Sequence, residues 1–287
     1  MKKGFLLAAV ALTLGLMVLG GIMLSRTTNG DAADSTAASA VDTLFSAAAA
    51  DDGAETASSD FLSSTDGSAL DVTDMFTQRD LLQTADLEEA TEIALVSGED
   101  VLIDEEGVYV LSGSAADVTV MVEAGDEAKV QLVLDNASIV NEDAPAIYVV
   151  SADKVFLTLT GDNDLEVTGA YETKSLDSVV ISKSDLTLNG TGSLTVVSAK
   201  GNGITSKDDL KITGGTYTVT TAIDGIEAND SIRIYDGDIT VVSQKDALHS
   251  ENDKDTSLGY IYIADGTLDI TAADDGIQGN AIVQIDG

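Results

Sequence analysis

The chain has 287 residues, of which 44% are hydrophobic, with one proline and neither tryptophan nor cysteine. Its formal net charge of −36 argues against binding to nucleic acid or to an anionic membrane surface, because such partners require positive charge on the protein. The absence of cysteine excludes a disulfide framework. A metal cation or a basic partner suits this composition better.

The first segment predicts export. Lys2 and Lys3 precede an apolar run, Gly4–Leu24, which is typical of a signal peptide but is nearly long enough to span a bilayer. Residues 1–30 are therefore interpreted as a signal peptide or as a retained membrane anchor, and we expect the protein outside the cell or at the cell surface. The remainder holds 11 basic and 50 acidic residues, a net charge of −39.

Residues 31–88 have the composition of a linker. They are rich in alanine, serine, threonine, aspartate and glycine and poor in large apolar residues, which is typical of a flexible stalk. A short helix is expected to begin within Leu81–Leu87.

A repeating pattern of strands follows the linker. From Ala94 the sequence alternates apolar and polar residues between glycine and acidic turns, which predicts short strands. From Leu186 a unit of 22 residues recurs, for example at Leu210–Ser231. A repeat this short indicates a β-solenoid, in which equivalent residues of successive coils stack on one another. Residues 89–287 are thus predicted to form one all-β solenoid domain, and we expect it to continue beyond residue 287, because Val283–Gly287 begin another coil.

Three columns of apolar residues predict three inward-facing strands in each coil. The first column is Leu186/Leu188, Leu210/Ile212, Ile232/Ile234, Ile261/Ile263 and Val283/Ile285. The second is Leu194/Val196, Tyr217/Val219, Ile239/Val241 and Leu268/Ile270. The third is Ile204, Ile226, Leu248 and Ile277. Between the first two columns a turn with positive φ is expected at glycine, namely at Gly192, Gly215, Gly237 and Gly266. Residues 130–153 and 154–185 are interpreted as two earlier, less regular coils.

A column of acidic residues precedes the third apolar column. It consists of Asn202, Asp224, Asp246 and Asp275, with Asp274 beside the last. Stacked coils lie about 4.8 Å apart, where two carboxylates repel by roughly 3 kcal/mol at an effective dielectric near 20. A hard cation would relieve this repulsion, and calcium takes about six to eight oxygen ligands in flexible geometry. The following glycines, Gly203, Gly225 and Gly276, are expected to let the backbone turn and offer carbonyl oxygens.

The predicted metal ligands are thus Asn202, Asp224, Asp246, Asp274 and Asp275. A second column consists of Asp208, Asp230 and Asn280. Its aspartates, Asp208 and Asp230, are either further calcium ligands or turn caps.

Other candidate residues carry weaker signals. The insert of residues 251–255 is interpreted as a solvated loop, and His249, the only histidine, as a surface turn residue. Tyr235 and Tyr262 are candidates for stacking on a sugar ring. Arg233 is expected to face outward, away from the aspartate column, whereas Lys200, Lys207 and Lys245 lie near that column and could pair with its acids.

Several strings resemble a family of secreted bacterial carbohydrate-binding domain proteins. They are VYVLSG (Val108–Gly113), APAIYVVSADKVFLTL (Ala144–Leu159), SKSDLTLNGTGSLTV (Ser182–Val196) and GNGITSKDDLKITGGTYTV (Gly201–Val219). The resemblance covers residues 93–287 and implies a right-handed parallel β-helix similar in fold to pectate lyases. It also implies bound calcium and the binding of cellulose or of acidic sugars such as polygalacturonate. The family's Asp-Asp-Gly-Ile motif is intact only at Asp274–Ile277.

Three functions follow from these features. The first is a calcium-dependent extracellular polysaccharide-binding module without catalytic residues. The second is a polyuronate lyase, which would need a basic residue opposite the acids to remove the sugar proton. The third is a surface adhesin or a fibre-forming scaffold, in which coils associate end to end.

Overall fold

The structure is a computed structural model and is described for residues 69–287. These residues form 22 strands and no helix, so none of their segments is a helix long and apolar enough to cross a membrane. The predicted export segment and residues 31–68 of the predicted linker lie outside the described residues. In chain order the strands are β1 (Thr91–Ala94), β2 (Val101–Ile103), β3 (Gly107–Ala116), β4 (Val120–Glu123), β5 (Lys129–Asn141), β6 (Ile147–Ser151), β7 (Lys154–Thr160), β8 (Asp162–Val167), β9 (Ser178–Ser182), β10 (Asp185–Gly190), β11 (Ser193–Ser198), β12 (Asn202–Ser206), β13 (Asp209–Ile212), β14 (Thr216–Thr221), β15 (Ile226–Ala228), β16 (Ser231–Ile234), β17 (Asp238–Ser243), β18 (Leu248–Ser250), β19 (Tyr260–Ile263), β20 (Thr267–Ala272), β21 (Ile277–Gly279) and β22 (Val283–Ile285).

The strands stack in three parallel columns, as the apolar pattern predicts. The first column runs β7-β10-β13-β16-β19-β22, the second β8-β11-β14-β17-β20 and the third β2-β4-β6-β9-β12-β15-β18-β21. Every strand pairs in parallel with its equivalent in the next coil, so the fold is β-helix-like. Leu210 pairs with Ile232, 22 residues later. Ile232 pairs with Ile261, 29 residues later, because the insert lies between them.

The interior is formed by the predicted apolar columns. Their members are fully buried up to the last coil. There Leu268, Ile270, Ile277 and Val283 are half-buried and Ile285 is exposed. Tyr217 is the largest buried side chain, and its hydroxyl donates to the carbonyl oxygen of Gly214 at 2.8 Å. This bond satisfies the one polar atom that the ring brings into the core.

The first coils are built from longer strands. β5 spans the first and second columns, because its first half pairs with β7 and its second half with β8. The two columns therefore join into one 14-stranded sheet, while the third column forms an 8-stranded sheet. The prediction of two less regular coils over residues 130–185 is confirmed by β5 to β9.

One of the four turn glycines was placed wrongly. Gly215, Gly237 and Gly266 have positive φ as predicted, but in the preceding coil Gly190, with φ of 108°, takes this role instead of Gly192. The turn between Leu188 and Leu194 is one residue longer than its equivalents in the later coils. The residue with positive φ therefore lies nearer the start of this turn.

Residues 69–88, here called the N-terminal strap, lie against the outer face of the first column. The predicted linker extended to residue 88, but Asp80 is fully buried and Gln83 donates to the carbonyl oxygen of Thr213 at 2.9 Å. The helix expected within Leu81–Leu87 is absent, and after a turn that ends at Leu81 the segment is irregular. Leu82 and Leu87 are exposed, so this segment has no common apolar face with which to stabilise a helix.

Candidate metal centre and binding surface

The acidic column is joined from coil to coil by hydrogen bonds to the backbone. Asn202 Oδ1 accepts from the Asp224 amide, Asp224 Oδ1 from the Asp246 amide and Asp246 Oδ1 from the Asp275 amide, each at 3.0 Å. These residues lie at the corner that precedes the third column, so the parallel register stacks them. One oxygen of each side chain is therefore already bound within the protein.

The second oxygens of Asp224 and Asp246 meet cationic side chains. Lys245 Nζ lies 3.0 Å from Asp224 Oδ2 and 3.4 Å from Asp246 Oδ2. His249 Nδ1 lies 3.5 and 3.8 Å from the same two atoms. Both carboxylates are buried. The pairing of Lys245 with the column, which the sequence left open, thus supplies an internal cation at this point.

These groups stabilise one another's charged forms. Burial by itself raises the pKa of Asp224, but His249, Lys245 and the Asp246 amide together hold that pKa below its usual range. The Asp224 carboxylate raises the pKa of His249, against the opposing effect of burial. Burial lowers the pKa of Lys245, yet its two aspartates raise it further, so the net shift is upward. A further divalent cation at Asp224 would have to displace Lys245.

His249 is the residue of this site that the sequence missed. Its interpretation as a surface turn residue was wrong, because it lies on β18 with a side chain only 12% exposed, and its Nε2 is 3.5 Å from Glu251 Oε2. The strand register carried the relevant signal, since His249 pairs with Glu227 in the polar outward row of the third column. A single histidine shows no motif, so only this stacking could have identified it.

The coil that carries Asp274 and Asp275 has a different character. Donor oxygens of Asp246, Asp274 and Asp275 lie within 4.8 Å of one another, and the last two residues are exposed. Within residues 69–287 the salt bridges to the column come from Lys245 and His249, and both reach Asp224 and Asp246 rather than the exposed pair. Exposed carboxylates with access to water suit calcium. Asp274 and Asp275 therefore fit calcium, with the buried Asp246 close enough to be a third ligand although Lys245 also lies 3.4 Å from its Oδ2. Asp224, which Lys245 holds at 3.0 Å, does not fit.

The glycines of this corner do not have the predicted role. The carbonyl oxygens of Asp224 and Gly225 accept from the amides of Gly203 and Ile204, at 3.0 and 3.1 Å, so both serve the pairing of coils. A Cβ on Gly225 would lie 2.3 Å from Val241 Cγ1. Glycine is required here because the neighbouring coil leaves no space, and not to present carbonyls to a metal.

Asp208 and Asp230 form a separate acidic corner. Among the described residues, two groups of three side chains have potential metal-ligand atoms close together. They are Asp224, Asp246 and His249, and Asp246, Asp274 and Asp275, and neither group includes Asp208 or Asp230. Burial, followed by the charges of Asp185, Asp230 and Asp209, raises the pKa of Asp208 to about 6. Asp230 Oδ1 accepts from Asn252 Nδ2 at 2.7 Å, and Asp208 Oδ1 accepts from the Asp209 amide at 3.2 Å. These bonds favour turn caps over metal ligands for this column.

The two candidate sugar-stacking rings lie beside the strap. Phe76 packs at ring-centroid distances of 5.3 Å from Tyr235 and 6.3 Å from Tyr262. Tyr262 is only 6% exposed, so the expectation of an open ring there was wrong, because the strap covers it. Tyr235 is 44% exposed and lines a cavity of about 420 Å³ together with Leu81 and Gln83.

The insert forms an exposed loop, as predicted. Asn252 Oδ1 accepts from the amides of Lys254 and Asp255, at 3.0 and 2.9 Å. The loop borders a cavity of about 550 Å³, which Glu227 and His249 also line. Asp253 and Asp255 belong to neither of the two groups of potential metal ligands among the described residues, so the loop adds no ligand to the acidic column.

Arg233 faces outward from β16, as expected, and lies on a different sheet from the acidic column. Its guanidinium pairs with Asp209 and donates to the carbonyl oxygen of Met75 at 3.3 Å. Lys207 pairs with Glu227 at 3.2 Å. Both cations are therefore already held by other groups.

Comparison with known proteins is consistent with this architecture. The solved structure of a polysaccharide lyase-like protein from C. thermocellum, a gadolinium derivative, superposes with a TM-score of 0.60 at 28% identity, over 68% of this chain and 96% of that one. A carbohydrate-binding domain-containing protein of Acetivibrio thermocellus is 43% identical over 197 residues, which are 66% of this chain and 69% of the relative. Residues 97–287 match the family described as carbohydrate-binding domain-containing protein. The chain therefore belongs to the family of carbohydrate-binding domain-containing proteins.

Proposed function

We propose that the protein is a calcium-dependent, extracellular polysaccharide-binding module whose ligand is an acidic sugar polymer or cellulose. Family membership and the polysaccharide lyase-like neighbour support polysaccharide as the ligand class. The observation that carries the calcium proposal is the group formed by the buried Asp246 and the exposed Asp274 and Asp275.

The charge of the protein explains why a divalent ion would be needed. The chain beyond residue 30 carries a net charge of −39, which repels a polyuronate. Calcium bound at Asp274 and Asp275 would share its oxygen coordination between protein carboxylates and the carboxylates of the sugar. Asp246 is fixed by its bond to the Asp275 amide, whereas the side chains of Asp274 and Asp275 face solvent and can adjust to the ligand.

Three further features belong to this proposal. Crossovers between parallel strands are right-handed in about 98% of cases, so we assign a right-handed turn and a basic repeat of 22 residues to the coils.

Residues 1–30 direct export or anchor the protein at the cell surface. End-to-end association of coils would produce the scaffold alternative, and the mass of the full chain in solution tests it.

Binding of polygalacturonate and of cellulose to the full chain tests the proposal. We expect binding in calcium, a marked weakening of that binding in EDTA, and a weaker response to calcium in Asp274→Asn. Asp269→Asn is the matched control, because Asp269 is equally exposed on β20 of the same coil. Binding that persists unchanged in EDTA would refute calcium dependence. Release of an unsaturated uronate product, followed by its absorbance, would identify a lyase instead.

A further inference from the structure

The outer face of the first column concentrates cations and aromatic rings. The register stacks its outward side chains in the order Phe156, Thr187, Lys211, Arg233 and Tyr262. This combination is notable in a chain with only 11 basic residues against 50 acidic ones beyond residue 30. Aromatic rings with nearby ammonium and guanidinium groups provide stacking together with charge-assisted hydrogen bonds. These five stacked residues, here called the stripe, thus offer the two kinds of contact that a carboxylated sugar chain can use.

The strap places its own carboxylate on this stripe. Asp80 is 0% exposed, and its oxygens lie 3.0 Å from Lys154 Nζ and 3.1 Å from Lys211 Nζ. The Thr187 hydroxyl donates to the same group at 3.3 Å. Two lysines and a hydroxyl therefore receive a carboxylate that has no contact with solvent, which is the arrangement that the carboxylate of a uronate would need.

The aromatic contacts of the strap also resemble those of a bound sugar ligand. Phe76 of the strap packs edge-on against Tyr235, and the Arg79 guanidinium lies 4.6 Å from the ring centroid of Phe156. The strap thus occupies both the charged and the apolar parts of the stripe.

The strap has few buried apolar contacts and is held mainly by polar groups. Met75 and Asp80 are its buried side chains, most of the others are exposed, and it forms no regular strand or helix. Segments with few buried apolar contacts open at a small fraction of the global unfolding free energy. The coils beneath, by contrast, are joined by continuous ladders of hydrogen bonds.

We propose that the outer face of the first column is a second, metal-independent site for carboxylated polysaccharide, and that the strap closes it by presenting Asp80 as an internal substitute for the ligand's carboxylate. The inference rests on the proposed function only for the class of ligand. A polyuronate displaces the strap, and its carboxylates then pair with Lys154 and Lys211, while Arg233 stays paired with Asp209.

The test measures binding of oligogalacturonate to the full chain in EDTA by calorimetry. Asp80→Asn keeps the shape of the side chain but removes its charge, so the strap opens more often and the affinity should rise about tenfold, in proportion to the open fraction. Asp74→Asn, at an exposed position of the same strap, should bind as the parent does. Adding Lys211→Met to Asp80→Asn should abolish the gain.

Hydrogen exchange supplies a second measurement on the unaltered chain. Saturating oligogalacturonate should accelerate exchange in residues 69–88 while β13 and β16 stay protected. Equal affinity of Asp80→Asn and Asp74→Asn in EDTA, including an absence of binding by both, would overturn the inference, as would a strap whose exchange does not accelerate. If calcium-dependent binding is still observed after such a result, the proposed function stands. If calcium-dependent binding is also absent, the proposed function is refuted separately.

Discussion

Asp224 and Asp246 are bound to each other through the backbone and through a shared cation. Asp224 Oδ1 accepts from the Asp246 amide at 3.0 Å, and Lys245 Nζ lies between the two Oδ2 atoms at 3.0 and 3.4 Å. The repulsion expected of stacked carboxylates is thus balanced within the protein at these two coils. It is left unbalanced only at the next coil, where Asp274 and Asp275 reach solvent.

Lys245→Met should expose this repulsion. Removing one partner of a fully buried pair costs about 3–5 kcal/mol, but the Lys245 side chain is 43% exposed, so solvent screening reduces the expected loss to about 1–2 kcal/mol. Denaturant unfolding measures this loss, and added calcium should restore more stability to the variant than to the parent. Lys254→Met, on the exposed insert, is the control. A Lys245→Met variant as stable as that control would contradict the role of Lys245.

His249 should make stability depend on pH near neutrality. Its pKa is raised in the folded state by Asp224, so its contribution is complete below the unfolded pKa of about 6.5 and is lost as pH rises through the folded pKa. Thermal unfolding of His249→Gln should therefore show a deficit at pH 6 that narrows at pH 9. The facing groups are Asp224, Asp246, Glu251 and Lys245. A constant deficit across this range would show that packing, and not charge, explains the effect.

Asp208, in contrast to His249, should destabilise the folded protein at neutral pH. Its pKa is raised to about 6, so the unfolded chain releases this proton at lower pH than the folded protein does. The contribution of this group to stability should then fall as pH rises from about 4 through that folded value. Asp208→Asn keeps the acceptor for the Asp209 amide and should raise the melting temperature at pH 7 more than at pH 4. Destabilisation at both pH values would refute this assignment.

Two glycines of the acidic corner should respond differently to alanine. A Cβ at Gly225 would meet Val241 Cγ1 at 2.3 Å and the Ala247 carbonyl oxygen at 2.7 Å, whereas at Gly276 the nearest atom is 3.7 Å away. Gly225→Ala should cost about 1–3 kcal/mol through overpacking, and Gly276→Ala should be nearly neutral. Equal stabilities in denaturant unfolding would contradict the close approach of these coils.

The sequence predicted the coils well because one physical rule governs them. Inward positions must be apolar in every coil, so the columns that contain Ile263, Ile270 and Ile277 were visible as a repeat. The strap was missed because polar groups fix it. Asp80 and Gln83 resemble linker residues until their partners on distant strands are known.

The site was predictable only in part for a related reason. Spacing identified the stacked aspartates, but it could not show which of them already have a cation. That distinction depends on Lys245 lying beside Asp224 and on Asp274 facing solvent.

Calcium titration by calorimetry tests the central claim most directly, using the full chain, Asp275→Asn and Asp224→Asn. The account predicts that Asp275→Asn weakens calcium binding about tenfold or more, since calcium affinity depends on the number of charged ligands. Asp224→Asn should bind calcium as the parent does, because Lys245 and His249 already hold that carboxylate. Calcium affinity that is unchanged in Asp275→Asn, or lost only in Asp224→Asn, would contradict a calcium site formed by Asp246, Asp274 and Asp275.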